Sequence, residues 1–201
     1  YTRSVVTTSL PVIQISKSVF KKYLSNKEFN AQSLKESDIN IAAKTDIKKV
    51  KSKTGNVAGW IEGANSEKWL VFGAHYDHLG YGGHGSGSRT PEQHEIHNGA
   101  DDNASGVAMV MMLADYYSNK KPDVNLAFVL FGAEEQGLIG SNYFVEQMPF
   151  DASDVKAMIN YDMVGRMKDS SITISGTGSA KEFKSILDYY NENPLKITYG
   201  K

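Results

Sequence analysis

The sequence has no cysteine, which excludes a disulfide framework and thiolate chemistry, so every metal ligand here must be nitrogen or oxygen. It also has no run approaching the ~20 consecutive apolar residues of a membrane-spanning helix. Internal repeats and low-complexity tracts are absent from its 201 residues, a length that suits one main domain plus a fragment of another. No initiator methionine stands at Tyr1, so we expect a processed chain or an excerpt from a longer one, with any export signal upstream. Neither sign of charge dominates, the net being −1, yet the balance is uneven. Residues 1–55 hold 11 Lys+Arg against 4 Asp+Glu, which leaves 11 against 19 for residues 56–201. The basic part has no aromatic interleaving and no nucleic-acid motif, so it reads as a solvated face. The acidic part suits metal cations and a substrate carrying a protonated amine.

What the chain does have is a series of short apolar runs. Trp69 to Ala74, Asn125 to Phe131 and Val155 to Ile159 are bounded by turn signals and read as buried strands of a parallel or mixed sheet. Asn56 to Glu62, Ile39 to Ala42, Ile47 to Lys51, Pro11 to Ile15 and Ile172 to Ser175 are further strand candidates. Helical periodicity marks Lys17 to Leu24, Ser105 to Tyr117, Gln136 to Met148 (stopped by Pro149) and Ser179 to Tyr190. Strands alternating with helices predict an α/β fold. A polar stretch, Ser25 to Ser37, reads as a linker, and Leu79 to Asn98 as a long Gly, Ser and His-rich loop of functional character.

Polar groups stand where three of these runs end, and a fourth cluster precedes a helix. Ala74-His75-Tyr76-Asp77-His78 follows the first, Ala133-Glu134-Glu135 the second and Asn160-Tyr161-Asp162 the third, while Gly99-Ala100-Asp101-Asp102-Asn103-Ala104-Ser105-Gly106 leads into the helix at Ser105. Open α/β sheets form their ligand crevice at the carboxyl ends of the strands. Taken singly, each block has an ordinary account: a structural histidine, an Asp-Asp-Asn cap or turn, a surface Glu pair, one strand-end acid. Together they predict a shared site for cations. His75 can bind a divalent metal through one ring nitrogen, with Asp77 placed to accept the other N–H. A carboxylate at Asp102 can bridge two ions, and of the adjacent Glu134 and Glu135 one can bind metal while the other handles protons.

These four blocks, in this order, resemble the co-catalytic dizinc aminopeptidases of the aminopeptidase S and aminopeptidase Y type, over roughly residues 55 to 167. The resemblance implies a three-layer α/β/α sandwich with a mixed, mostly parallel sheet. By position it assigns His75 and Asp162 to one zinc, Glu135 to the other and Asp102 as the bridge, with two catalytic roles, Glu134 as general base and Asp77 as the acid that orients the ligand histidine. It further implies hydrolysis of the N-terminal peptide bond of peptides by way of a metal-bridging water, in an exported or cell-surface enzyme. The segment around Ser9 to Leu24 is similar to the tail of a protease-associated domain. The expected organisation is therefore 1–35, such a tail plus linker, and 36–201, a metallopeptidase domain incomplete at its C-terminus.

One departure stands out. The family takes a fifth protein ligand, a histidine, from a segment beyond the matched strands, and no histidine follows His97. We expect that ligand beyond Lys201. His78 is assigned to the crevice mouth, and His84, His94 and His97 to solvent-exposed positions of the long loop. Two alternatives share the fold: a single-zinc enzyme like glutaminyl cyclase, and a non-catalytic binding module. Retention of His75, Asp102, Glu134, Glu135 and Asp162 weighs against both.

Overall fold

Successive side chains along Trp69–His75 (β2) and Asn125–Phe131 (β3) point to opposite faces of a sheet, and in this sequence both sets are apolar. Such strands need cover on both sides. The structure, a computed structural model, describes residues 16–23, 51–65, 67–192 and 195–200, and it supplies that cover. Val71, Ala127, Val129 and Phe131 meet Phe144 on one face, while Phe72, Ala74, Leu126 and Phe128 meet Val110 on the other. Phe144 lies on helix Ile139–Glu146 and Val110 on helix Gly106–Ser118. The result is the expected three layers. Each of the Val, Leu and Phe side chains among them contributes about 1.5–3 kcal/mol when taken fully out of water.

The sheet is completed by Val57–Ile61 (β1) and Val155–Asn160 (β4), in the order β1-β3-β2-β4. β1 runs antiparallel to β3, whereas β2 is parallel to both β3 and β4. The register sets His75 opposite Phe131 and Gly73 opposite Asn160, so the carboxyl ends of β2, β3 and β4 lie side by side. A second sheet of two parallel strands, Ser171–Ile174 (β5) and Lys196–Tyr199 (β6), flanks helix Phe183–Tyr190 in sequence.

The described residues fall into two compact units, one ending at Ser52 and one beginning at Lys53. In the first, helix Lys17–Tyr23 (α1) forms where periodicity predicts it, and the Ser16 hydroxyl accepts the Val19 N–H at its start. In the second, Gly106–Ser118 is α2, Ile139–Glu146 α3 and Phe183–Tyr190 α4. The strands expected at Pro11–Ile15 and Ile39–Ala42, nearly all of Ile47–Lys51 and the linker at Ser25–Ser37 lie outside the described residues.

Two expectations need correction, and one strand had no counterpart in the sequence pattern. The helix predicted from Gln136 begins only at Ile139, because Gly137 and Leu138 both donate N–H to the Glu134 carbonyl and Ala133, Gly137 and Leu138 all take positive φ. That tight turn is what presents Glu134 and Glu135. The run Val155–Ile159 is half-exposed rather than buried, since β4 is the outer strand of the described sheet and leaves Met158 and Ile159 open. β6 was not foreseen; four residues, Lys-Ile-Thr-Tyr, carry too little alternation to stand out.

Candidate metal centre

His75 is the last residue of β2 and is 3% exposed. A buried imidazole needs partners for both nitrogens. Its Nδ1 is 3.0 Å from the backbone carbonyl oxygen of Asp77, which fixes the ring and turns Nε2 into the crevice. There Nε2 lies 3.1 Å from Asp102 Oδ1, 3.8 Å from Asp162 Oδ1 and 3.9 Å from Glu134 Oε2. The sequence points to the Asp77 side chain as the orienting acceptor; the structure uses its carbonyl, with the nearer carboxylate oxygen at 3.8 Å. The Asp77 carboxylate is engaged elsewhere. It accepts the backbone N–H groups of Glu134 and Glu135, at 2.9 and 3.2 Å, and so pins the turn after β3 to the turn after β2.

Asp102 sits in a π-type turn, Ala100–Ser105, ahead of α2, where it and Asn103 leave helical geometry across a cis peptide. Asn103, 2% exposed, holds this turn against the segment bearing Asp162. It donates to the Tyr161 carbonyl at 2.9 Å and accepts the N–H groups of Gly106 and Met163 at 3.1 and 3.2 Å. Asp101 adds a bond from Gly165 N–H at 2.9 Å. Tyr161 in turn continues the β2–β4 ladder by donating to the Gly73 carbonyl. The blocks around Asp102 and Asp162 are thus one hydrogen-bonded unit.

All six residues singled out in the sequence, His75, Asp77, Asp102, Glu134, Glu135 and Asp162, are brought to this crevice. His78 is there too: its Nδ1 is 2.8 Å from Glu135 Oε1 and 3.9 Å from Asp102 Oδ2. The spacing His-Tyr-Asp-His, with its imidazoles three positions apart at a strand end, is the signal that could have pointed to it. Asn103, which the sequence offers only as part of an Asp-Asp-Asn cap or turn, is a second such residue. The remaining histidines belong to the loop: His84 pairs with Glu92, His94 stacks on Tyr81, and His97 meets the Ser88 hydroxyl at 2.8 Å.

Among the described residues, two sets of three donors lie close enough to hold one ion each: His75, Asp102 and Asp162, and His78, Asp102 and Glu135. Nitrogen and oxygen ligands about 2.0–2.2 Å from a tetrahedral zinc are themselves roughly 3.3–3.5 Å apart. The observed 3.1 and 3.8 Å around His75 bracket that value, so the donors fit zinc. Concentrated carboxylates also affect one another. Partial burial pushes the Glu134 carboxyl above its ordinary value; the imidazole of His75 opposes this, and Glu135, Asp162 and Asp77 reinforce it.

Comparison with known proteins agrees with this geometry. The profile of peptidase family M28 matches residues 56–198, and the chain belongs to that family. An aminopeptidase of Pseudomonas aeruginosa strain UCBPP-PA14 is 28% identical over 143 residues, 71% of this chain and 24% of that protein. A probable zinc metalloprotease of Pyrenophora teres f. teres is 34% identical over 103 residues, 51% of this chain and 20% of that one. Among solved structures, an aminopeptidase from Aneurinibacillus sp. strain AM-1 superposes with a TM-score of 0.56 at 26% identity, covering 73% of this chain and 34% of its own. Glutaminyl cyclases share the fold at 18 and 22% identity, a likeness of fold alone. The chain therefore spans about a quarter or less of the curated relatives it matches.

Proposed function

We propose that this chain carries the catalytic core of a zinc-dependent aminopeptidase, which releases N-terminal residues from peptides using two zinc ions. The observation that supports it is the convergence of two imidazoles and five carboxylates from four separate segments at one sheet edge. In this reading His75, Asp102 and Asp162 hold one ion, and Glu135 holds a second that shares Asp102. Bound zinc would supply Lewis acidity toward the scissile carbonyl and make hydroxide available near neutral pH.

The protein's own groups do the rest. Glu134 Oε2 faces the same space as His75 Nε2, where it takes the proton of the attacking water and returns it to the leaving amine. Its raised proton affinity suits a base that must later act as an acid. Asp77 is a positioning residue: its carboxylate fixes the Glu134–Glu135 turn while its carbonyl fixes His75. The excess of carboxylates favours a protonated α-amine over a blocked terminus. Residues 1–35 belong, in the same reading, to the tail of a protease-associated domain and a linker, and the enzyme works outside the cytoplasm, which cell fractionation checks. No helix of the described residues is long and apolar enough to cross a membrane.

The decisive experiment measures hydrolysis of aminoacyl p-nitroanilides by the full-length protein, with N-acetylated counterparts as controls and product masses recorded. Cleavage of the free-amine substrates only, abolished by chelation and by Asp102→Ala, is the expected result. Ammonia loss without chain cleavage would identify a cyclase instead, and unchanged turnover in Asp102→Ala or Glu134→Ala would overturn the reading.

A further inference from the structure

We infer that Asn56 is a positioning residue of the peptidase: its side-chain amide bridges Gly132 and Gly140, which flank the turn that carries Glu134 and Glu135, and so holds both carboxylates in place. The inference deepens the function proposed above and rests on it.

Asn56 reaches the site because of the direction in which one strand runs. The carboxyl ends of β2, β3 and β4 form the edge that bears the acids, whereas β1 is antiparallel to β3 and brings its amino end there, with Val57 opposite Leu130. Asn56, the residue before Val57, therefore stands beside the exit of β3. Its Oδ1 accepts the Gly132 N–H at 3.1 Å, and its Nδ2 donates to the Gly140 carbonyl at 2.7 Å. A side-chain amide carries a donor and an acceptor side by side, so one residue serves both peptide groups. Both glycines are buried, where a backbone group without a partner is costly.

The flanks of the turn must approach closely for this bridge to form. A Cβ on Gly140 would overlap the Gly132 carbonyl oxygen and lie 2.5 Å from Asn56 Oδ1. On Gly132 a Cβ would meet Thr54 Oγ1 at 2.5 Å and the Gly55 carbonyl oxygen at 2.7 Å. That same Gly55 carbonyl accepts the Tyr76 hydroxyl at 2.7 Å, which ties it to the end of β2. Between the flanks, Ala133 and Leu138 take φ of 54° and 60°. Residues other than glycine keep such a backbone only where surrounding bonds fix it. Asp77 fixes the middle of the turn through the Glu134 and Glu135 N–H groups; Asn56 fixes where it starts and stops. Released at its flanks, the turn relaxes, and Glu134 Oε2 leaves its place 3.9 Å from His75 Nε2.

The test compares full-length wild type, Asn56→Ala and Asn56→Asp. In chelator-treated protein, hydrogen exchange read by mass spectrometry should show a loss of protection in the peptide covering residues 132–140 of Asn56→Ala, with β3 as protected as in wild type. In zinc-loaded protein, kcat on aminoacyl p-nitroanilides should fall by roughly 10²-fold, the cost of a displacement of about 1 Å at a reacting group, with KM little changed. Asn56→Asp has the same shape, keeps the acceptor for Gly132 and lacks only the donor to Gly140. It covers the case in which the alanine variant does not fold, and should lose protection and kcat in the same direction. Wild-type exchange over residues 132–140 in the folded variants, a loss of protection that extends through β3, or an unchanged kcat would each overturn the role of Asn56 while leaving the peptidase reading in place. A wild type that cleaves no aminoacyl p-nitroanilide would bring down both.

Discussion

At the residue scale the centre is a compromise between folding and chemistry. Glu134 is held beside three other acids and partly out of water, and both effects raise the proton affinity of its carboxyl. A folded-state value raised above the unfolded one means that this group favours folding at low pH, and that the advantage is lost as pH rises through the folded value. The metal-free Glu134→Gln protein should therefore melt higher than wild type at pH 7, with the gap closing as pH falls through the carboxylate range. Its peptidase turnover should drop by roughly 10²–10⁴-fold, the usual contribution of a general base. Thermal melts across pH and steady-state kinetics check the two halves; a metal-free variant less stable than wild type at pH 7 would refute the electrostatic account. The acids of this centre were legible in the sequence because each follows a strand end or opens a helix. What was not legible is which atom does what. Asp77 serves through its carbonyl as well as its carboxylate, and His78 turns inward, since both depend on side-chain torsions in turns that no periodicity encodes.

At the element scale, the site is assembled by loops that clamp one another. Asn103 satisfies two N–H groups and one carbonyl in a nearly dry position, so Asn103→Ala leaves three backbone groups short of a partner. The expected loss is about 2–4 kcal/mol of stability, at about 1 kcal/mol or more for each group left unsatisfied. Zinc affinity should fall by roughly 10–100-fold, as for other supports of metal ligands. Gly106→Ala should act on the same joint, because a Cβ there would overlap the Tyr161 carbonyl oxygen and the Asn103 side chain. Urea titration and zinc binding measured on both variants test this; wild-type zinc affinity in a folded Asn103→Ala protein would show that the clamp does not position the ligands. Strands β2 and β3 were readable from continuous apolar runs, and α2 from its 3.6-residue period. The delayed start of α3 was not, because the turn at Ala133–Leu138 is set by tertiary bonds from Asp77 and by backbone conformations that only Gly137 takes without strain. The open side of β4 was hidden for a different reason: sequence pattern reports apolarity, not strand order.

At the scale of the whole molecule, the ends of β2, β3 and β4 are joined by their ladder hydrogen bonds and again through the centre, where five carboxylates repel one another when no cation is present. Any ion that binds the folded chain and not the unfolded one stabilises it in proportion to the logarithm of its concentration. At free zinc one hundred times the dissociation constant the gain is about 2.7 kcal/mol for a single site, which for 150–250 residues corresponds to roughly 5–11 °C in melting temperature. Removal of zinc by a chelator should lower the melting temperature by that amount, and readdition should restore it. Magnesium at equal concentration should restore much less, since imidazole nitrogen is a poor ligand for that ion. Asp102→Asn should abolish most of the shift, because this one side chain contributes an oxygen to each donor set. Equal melting temperatures for chelator-treated and zinc-loaded wild-type protein would mean that the carboxylates at the strand ends are held together by the fold alone, and that no cation belongs between them.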